Sequence, residues 1–108
     1  MLEPILMSKN SERVLIYILN RQEGYAREIA KFFGADPDSI QKQLTKFESG
    51  GVFTSKLAGK TKLYRFNPRY PFVKELQALL EKAMNFYPDE FKNRLKPRKR
   101  PRRAGKPI

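Results

Sequence analysis

The stretch that most constrains this chain is IAKFFGADPDSIQKQL, residues 29–44. Glycine takes the left-handed backbone conformation without a Cβ penalty, so Gly34 is a natural end for a preceding helix. Two residues on, Asp36 is a good N-cap, and Pro37 stands at the first helical position, where its missing N–H costs nothing. Asp38 in the first turn suits the helix dipole. The spacing predicts one helix over about 27–33, with Ile29, Ala30 and Phe33 on its apolar face. It predicts a second over about 37–49, with Ile40, Leu44 and Phe47 turned inward. Such a pair is either a plain hairpin packing its own faces or a device for placing one helix in a groove of DNA.

The flanks narrow the choice. Upstream, Ser8 or Asn10 can cap a helix in which Val14, Leu15, Ile18 and Leu19 recur on one buried face. The polar NRQEG (20–24) ends it, and Tyr25 and Ala26 make a short extended step. Downstream, Gly50 and Gly51 end the 37–49 helix. VFTSK (52–56) and KLYRF (62–66) are strand-like and are joined by LAGKT, a hairpin signal. After Asn67, Pro68 and Pro71, a wide apolar stripe over about 71–86 marks another helix, carrying Phe72, Val73, Leu76, Leu79, Leu80, Ala83 and Met84. Pro88 interrupts it and leaves at most one more turn, DEFKNRL.

Charge divides the chain in two. Residues 1–91 hold 14 basic and 11 acidic side chains, a net of +3, as expected for one folded domain. Residues 92–108 hold nine basic side chains and no acid, so this tail supplies most of the overall +12. Rich in Pro and cations, with nothing to bury, the tail is expected to be disordered in isolation. An excess of this sign favours polyanions, nucleic acid first and an anionic membrane surface second.

With no Cys and no His among 108 residues, disulfides, thiolate or imidazole metal sites, and Ser-His or Cys-His catalysis are all excluded. No nucleophile–base pair or phosphate-cradling glycine loop is suggested, so an enzyme is not expected, nor is a cofactor. No apolar run approaches the roughly 20 residues of a membrane span. MLEPILMSKN is too short for a signal peptide, so a cytoplasmic location is expected.

Three helices, a tight turn between the second and third, then a hairpin: this is the order of a winged helix-turn-helix. From Ser8 to about Met84 the sequence resembles winged-helix transcription regulators of prokaryotes, particularly the ArsR-like group. REIAKFFGADPDSIQKQLTKFESGGVF (27–53) and KTKLYRFNP (60–68) carry the resemblance, through Ala30, Gly34, Ile40, Leu44 and the returning strand. The fold class it implies is mainly α with a small β-hairpin: a three-helix core, a two-stranded wing and a C-terminal helix. The implied function is binding of double-stranded DNA in transcription regulation. Sensors of the group often hold metals through Cys and His, so the resemblance carries no metal sensing to this chain.

Physical reasoning then assigns candidate residues. Ala30 must be small where two helices cross closely. With Ile40, Leu44 and Phe47 inward, Asp38, Ser39, Gln41, Lys42, Thr45 and Lys46 face outward. Gln pairs with adenine and Lys donates to guanine, so Gln41 and Lys42 lead as base readers, with Thr45 and Lys46 nearer phosphate. Asp36 reads as a cap; Asp38 would repel phosphate or accept from cytosine. The wing offers Lys56, Lys60, Lys62 and Arg65 to phosphate, while Tyr64 and Phe66 share a core-facing side.

In the tail, Lys96, Arg98, Lys99, Arg100, Arg102 and Arg103 are candidates for a non-specific phosphate-binding arm. PRKRP (97–101) is similar to an AT-hook core, but Lys99 stands where that core has glycine, which should spoil a deep minor-groove fit. The stripe at 72, 73, 76, 79, 80, 83 and 84 is wider than one small core needs. The resemblance implies pairing with its twin in a homodimer, and two-fold symmetry then predicts a palindromic or direct-backbone-spaced site with half-sites about one helical turn apart. The alternative is a winged-helix adaptor that binds a protein partner while its tail holds nucleic acid.

Overall fold

A computed structural model describes residues 2–96. Its elements run α1 (Glu3–Leu6), α2 (Lys9–Arg21), α3 (Ala26–Phe33), α4 (Pro37–Ser49), β1 (Phe53–Ala58), β2 (Thr61–Phe66), α5 (Val73–Met84) and α6 (Asp89–Leu95). Most of the described chain is helical, and the two strands form one antiparallel hairpin.

Local chemistry sets the helix ends. Ser8 caps α2, its hydroxyl accepting from the Ser11 amide at 3.0 Å. The helix stops at Arg21 because Gln22 turns left-handed, with φ of 75°. Gly24 is therefore not the stop; it has another task. Its backbone exchanges two hydrogen bonds with Tyr64, at 3.0 and 2.8 Å, adding a one-residue rung to the hairpin. A Cβ at Gly24 would meet the Tyr17 ring at 3.0 Å and Ile29 at 3.2 Å, so a larger residue would have to push these side chains back.

At the central turn, Gly34 adopts φ of 65° and ends α3, while the Ala35 amide reaches the Ala30 carbonyl at 2.9 Å. Asp36 then caps α4 through the Ser39 amide at 3.0 Å, with Pro37 opening the helix. The core sits beneath this turn. Val14, Leu15, Ile18, Ile29, Ile40, Leu44 and Leu80 are fully buried, and Ala30 is nearly so, which lets α3 and α4 cross tightly.

Three elements depart from expectation. The hairpin is longer and its turn tighter than LAGKT suggests: Ala58 pairs with Thr61, leaving only Gly59 and Lys60 at the tip. Left-handed Gly59, with φ of 67°, permits that economy. A short α1 precedes the capped helix. The last turn, DEFKNRL, is a full helix, α6, whose Leu95 is completely buried.

Charge alone suggested that the tail begins at Lys92, yet α6 folds back on the body. Arg21 holds its C-terminus, donating to the carbonyls of Leu95 at 2.9 Å and Arg94 at 3.0 Å. The same guanidinium lies over the Tyr17 ring, 5.1 Å from its centroid. Cations near a helix C-terminus satisfy its orphan carbonyls, which is why a basic residue from α2 ends this helix well. No helix among the described residues is long and apolar enough to cross a membrane.

Candidate nucleic-acid interface

Burial of Ile40 and Leu44 fixes which side of α4 looks outward. Asp38, Lys42, Thr45 and Lys46 are exposed there, while Ser39 and Gln41 are half-buried. Ser39 is committed to the cap, its hydroxyl also donating to the Asp36 carboxylate at 3.1 Å. Gln41 is committed to the wing. Its amide donates to the buried Tyr64 hydroxyl at 2.9 Å and to Thr45 Oγ1 at 3.2 Å. In this state Gln41 ties helix to hairpin, and Lys42 beside it is the exposed side chain.

The hairpin register separates the wing cations. Cross-strand partners share a face, so the pairs Phe53–Phe66, Ser55–Tyr64 and Leu57–Lys62 line one side, and Thr54–Arg65 and Lys56–Leu63 the other. Lys62 thus lies on the same side as buried Tyr64, toward α4. Lys56 and Arg65 lie on the opposite face, and Lys60 stands at the tip. The four are not one cluster. Sequence order brought them close, but the two-residue period of a strand divides them.

Lys62 also has a partner of its own. Its ammonium meets Glu48 Oε1 at 3.0 Å, and the Ser55 hydroxyl donates to the other oxygen of that carboxylate. The Ser55 and Lys62 hydrogen bonds hold the Glu48 carboxyl below its ordinary value of 4.5, and Glu48 in turn pushes the Lys62 ammonium up. A second fastening, from the last turn of α4, therefore ties that helix to the wing.

A group with a depressed folded-state pKa stabilises the fold above its unfolded pKa and loses that contribution as pH falls through the folded one. Glu48→Gln is therefore expected to flatten the acid limb of the stability curve below pH 4.5. Urea titrations of both proteins across that range check this; parallel limbs would contradict it.

Two cations escape the sequence reasoning. Arg27 and Lys31, one turn apart on α3, are exposed and line a groove of about 630 Å³ with Tyr25, Gln41, Lys60 and Lys62. Their i, i+4 spacing on the polar side of a short helix is the signal that the sequence carries for them. In a helix-turn-helix the helix preceding the recognition helix commonly crosses the DNA backbone, which makes this pair a candidate for phosphate. Of the tail candidates, Lys96 is described and exposed; Arg98, Lys99, Arg100, Arg102 and Arg103 lie outside the described residues.

The stripe on α5 divides as well. Leu80 and Ala83 are buried within the chain's own core, so they are not available to a second copy. Val73, Leu76 and Met84 are half-buried. Phe72 is 62% exposed and Leu79 38%, and Phe86, seven residues further, is 66% exposed.

Solved structures with the same architecture include an apo double mutant of ZitR from Lactococcus lactis, with a TM-score of 0.54 at 20% identity over 79% of this chain and 73% of that one. The adhesin competence repressor AdcR from Streptococcus pyogenes has a TM-score of 0.55 at 11% identity, covering 85% of this chain and 72% of that one. AntR, an antimony-specific transcriptional repressor, has a TM-score of 0.51 at 17% identity, over 78% of each chain. No protein-family model matches the chain, and no curated protein matches it in sequence. The likeness establishes the fold, a winged helix-turn-helix with flanking helices.

Proposed function

We propose that this protein is a DNA-binding transcription regulator that acts as a homodimer. In this reading α4 enters the major groove, while the wing, α3 and the basic tail lie along phosphates. One observation carries it: α4 keeps Lys42, Thr45 and Lys46 exposed on one side while Ile40 and Leu44 are fully buried on the other. That is the division a reader helix needs. Two of the structures sharing the fold are repressors by name, which supports a regulatory role.

Lys42 takes the leading base-contact role, since Gln41 would have to release Tyr64 to reach a base edge. Asp38 and Thr45 flank it, and Lys46 serves phosphate. In the wing, Lys56, Lys60 and Arg65 are the cations free of the Glu48 pair, and Arg27 and Lys31 join them from α3. Selection of bound duplexes from a random pool tests the whole. A recovered palindrome is expected from the full chain, and Lys42→Ala should relax preference at one or two positions per half-site by about 1–3 kcal/mol. A pool that emerges unenriched would refute sequence-preferring binding.

The homodimer is supported by Phe72, Leu79 and Phe86, large apolar side chains left exposed at the start of α5, on it and just past its end. Replacing Phe72 and Leu79 together with Ser is expected to leave the core intact and halve the mass seen by sedimentation. Unchanged mass in that variant would place the contact elsewhere.

A further inference from the structure

On α2, Lys9, Glu12, Arg13 and Ile16 follow one another at i, i+3, i+4 and i+7, so they share one face. That face does not close fully on its neighbours. Between it, the end of α3 and α6 lies a cavity of about 220 Å³, walled by Phe33, Tyr87 and Phe91. The rings stand at open angles to one another, Tyr87 and Phe91 with centroids 5.1 Å apart and Phe33 and Phe91 6.1 Å apart. Rings so arranged present both faces and edges to a guest ring.

The charges of the wall narrow the guest. Glu12 is buried, and its carboxylate accepts from the Leu2 amide at 2.9 Å and from the Tyr87 hydroxyl. Lys9 and Arg13 are cationic, and the Arg13 guanidinium lies 5.5 Å from the Phe33 centroid while donating to Asn10 at 3.0 Å. A guanidinium has five N–H donors, more than Asn10 can use. Two cations against one hydrogen-bonded carboxylate leave a wall of net +1. The volume, below the roughly 300–1,000 Å³ of sites for drug-sized ligands, suits a single ring with a short arm.

We propose that this cavity binds a small planar aromatic monocarboxylate, its ring among Phe33, Tyr87 and Phe91 and its carboxylate on Arg13 and Lys9. None of its lining residues is among those assigned to DNA above, so the proposal does not depend on the proposed function. The cavity is nonetheless connected to it: Ser11, next to Glu12, donates to Gln43 Oε1 of α4 at 2.6 Å. A ligand pressing on this face of α2 acts on a helix that touches the reader helix directly.

The test uses the full chain, with benzoate and phenylacetate as probes, benzyl alcohol as the neutral control and benzylamine as the cationic one. Saturable shifts of the Phe33, Tyr87 and Phe91 ring resonances are expected with the two carboxylates. Arg13→Gln, at a partly exposed position, should weaken benzoate about tenfold and leave benzyl alcohol unchanged. Lys9→Gln, fully on the surface, provides a second charge variant that cannot disturb the core. Benzylamine binding as tightly as benzoate would overturn the assignment, as would the absence of a saturable shift. Ring shifts that follow protein concentration without any probe, and persist when Phe72 and Leu79 are both replaced by Ser, would mean that a second copy fills the cavity, and would overturn it too.

Discussion

Cutting the chain after Leu95 is expected to weaken binding to every DNA duplex alike, by roughly a hundredfold at physiological salt. Residues 96–108 contain seven Lys and Arg and no acid, whereas the body through residue 91 carries a net of only +3. Each phosphate that the shortened protein leaves un-neutralised should reduce the slope of log affinity against log salt by about 0.9. A truncated protein should therefore bind with a shallower slope and an unchanged sequence preference. Titrations at several salt concentrations on a selected and an unrelated duplex measure both. An unaltered slope would remove the tail from the interface. Disappearance of an A·T bias would instead restore minor-groove insertion, despite Lys99 at the position of the hook glycine.

The largest effect on stability is expected from Leu95→Ala, at about 3 kcal/mol. Leu95 is fully buried at the end of α6, and Arg21 seals the two carbonyls beside it. Removing its side chain leaves a cavity under a helix of only seven residues, which has little stability of its own. The melting temperature should fall by roughly 12–24 °C. Leu57→Ala makes a fair control: Leu57 is 72% exposed on the hairpin, and its loss should change stability by less than about 0.5 kcal/mol. Similar losses in the two variants would mean that α6 is not anchored through Leu95.

Leu95 also marks where a sequence stops being legible. Ile40 and Leu44 could be placed inside because helical periodicity repeats over α4, and Gly34, Asp36 and Pro37 each have a strong local preference that tertiary structure had no reason to override. Leu95 has no such pattern around it. It follows a proline-broken segment and adjoins a run of cations, so local composition reads as tail. What decides its fate is Arg21, far away in the chain, which no periodicity reveals.

Gln41 teaches the same lesson within the candidate site. Counting helix faces puts it outward, and the backbone agrees, but a hydroxyl 23 residues downstream captures its amide. The wing was legible in part. Both strands and the inward side of Tyr64 follow from alternation, and the same alternation, carried through to the cations, separates Lys62 from Lys56 and Arg65. Arg27 and Lys31 were visible as a helical pair but acquire meaning only once the hairpin tip is seen across the groove from them.

Tyr64 bears on how such a protein would tell one sequence from another. Its backbone pairs with Gly24 ahead of α3, its hydroxyl accepts from Gln41 on α4, and its strand is the returning arm of the wing. Glu48 closes the same joint from the other end of α4. A reading head fastened at so many points has little freedom to adjust its angle to a poor site. The duplex must then do the bending, at a cost set by the stiffness of its own base steps. Discrimination would extend to base pairs that no side chain touches, and flexible pyrimidine–purine steps between half-sites would count among the preferred features.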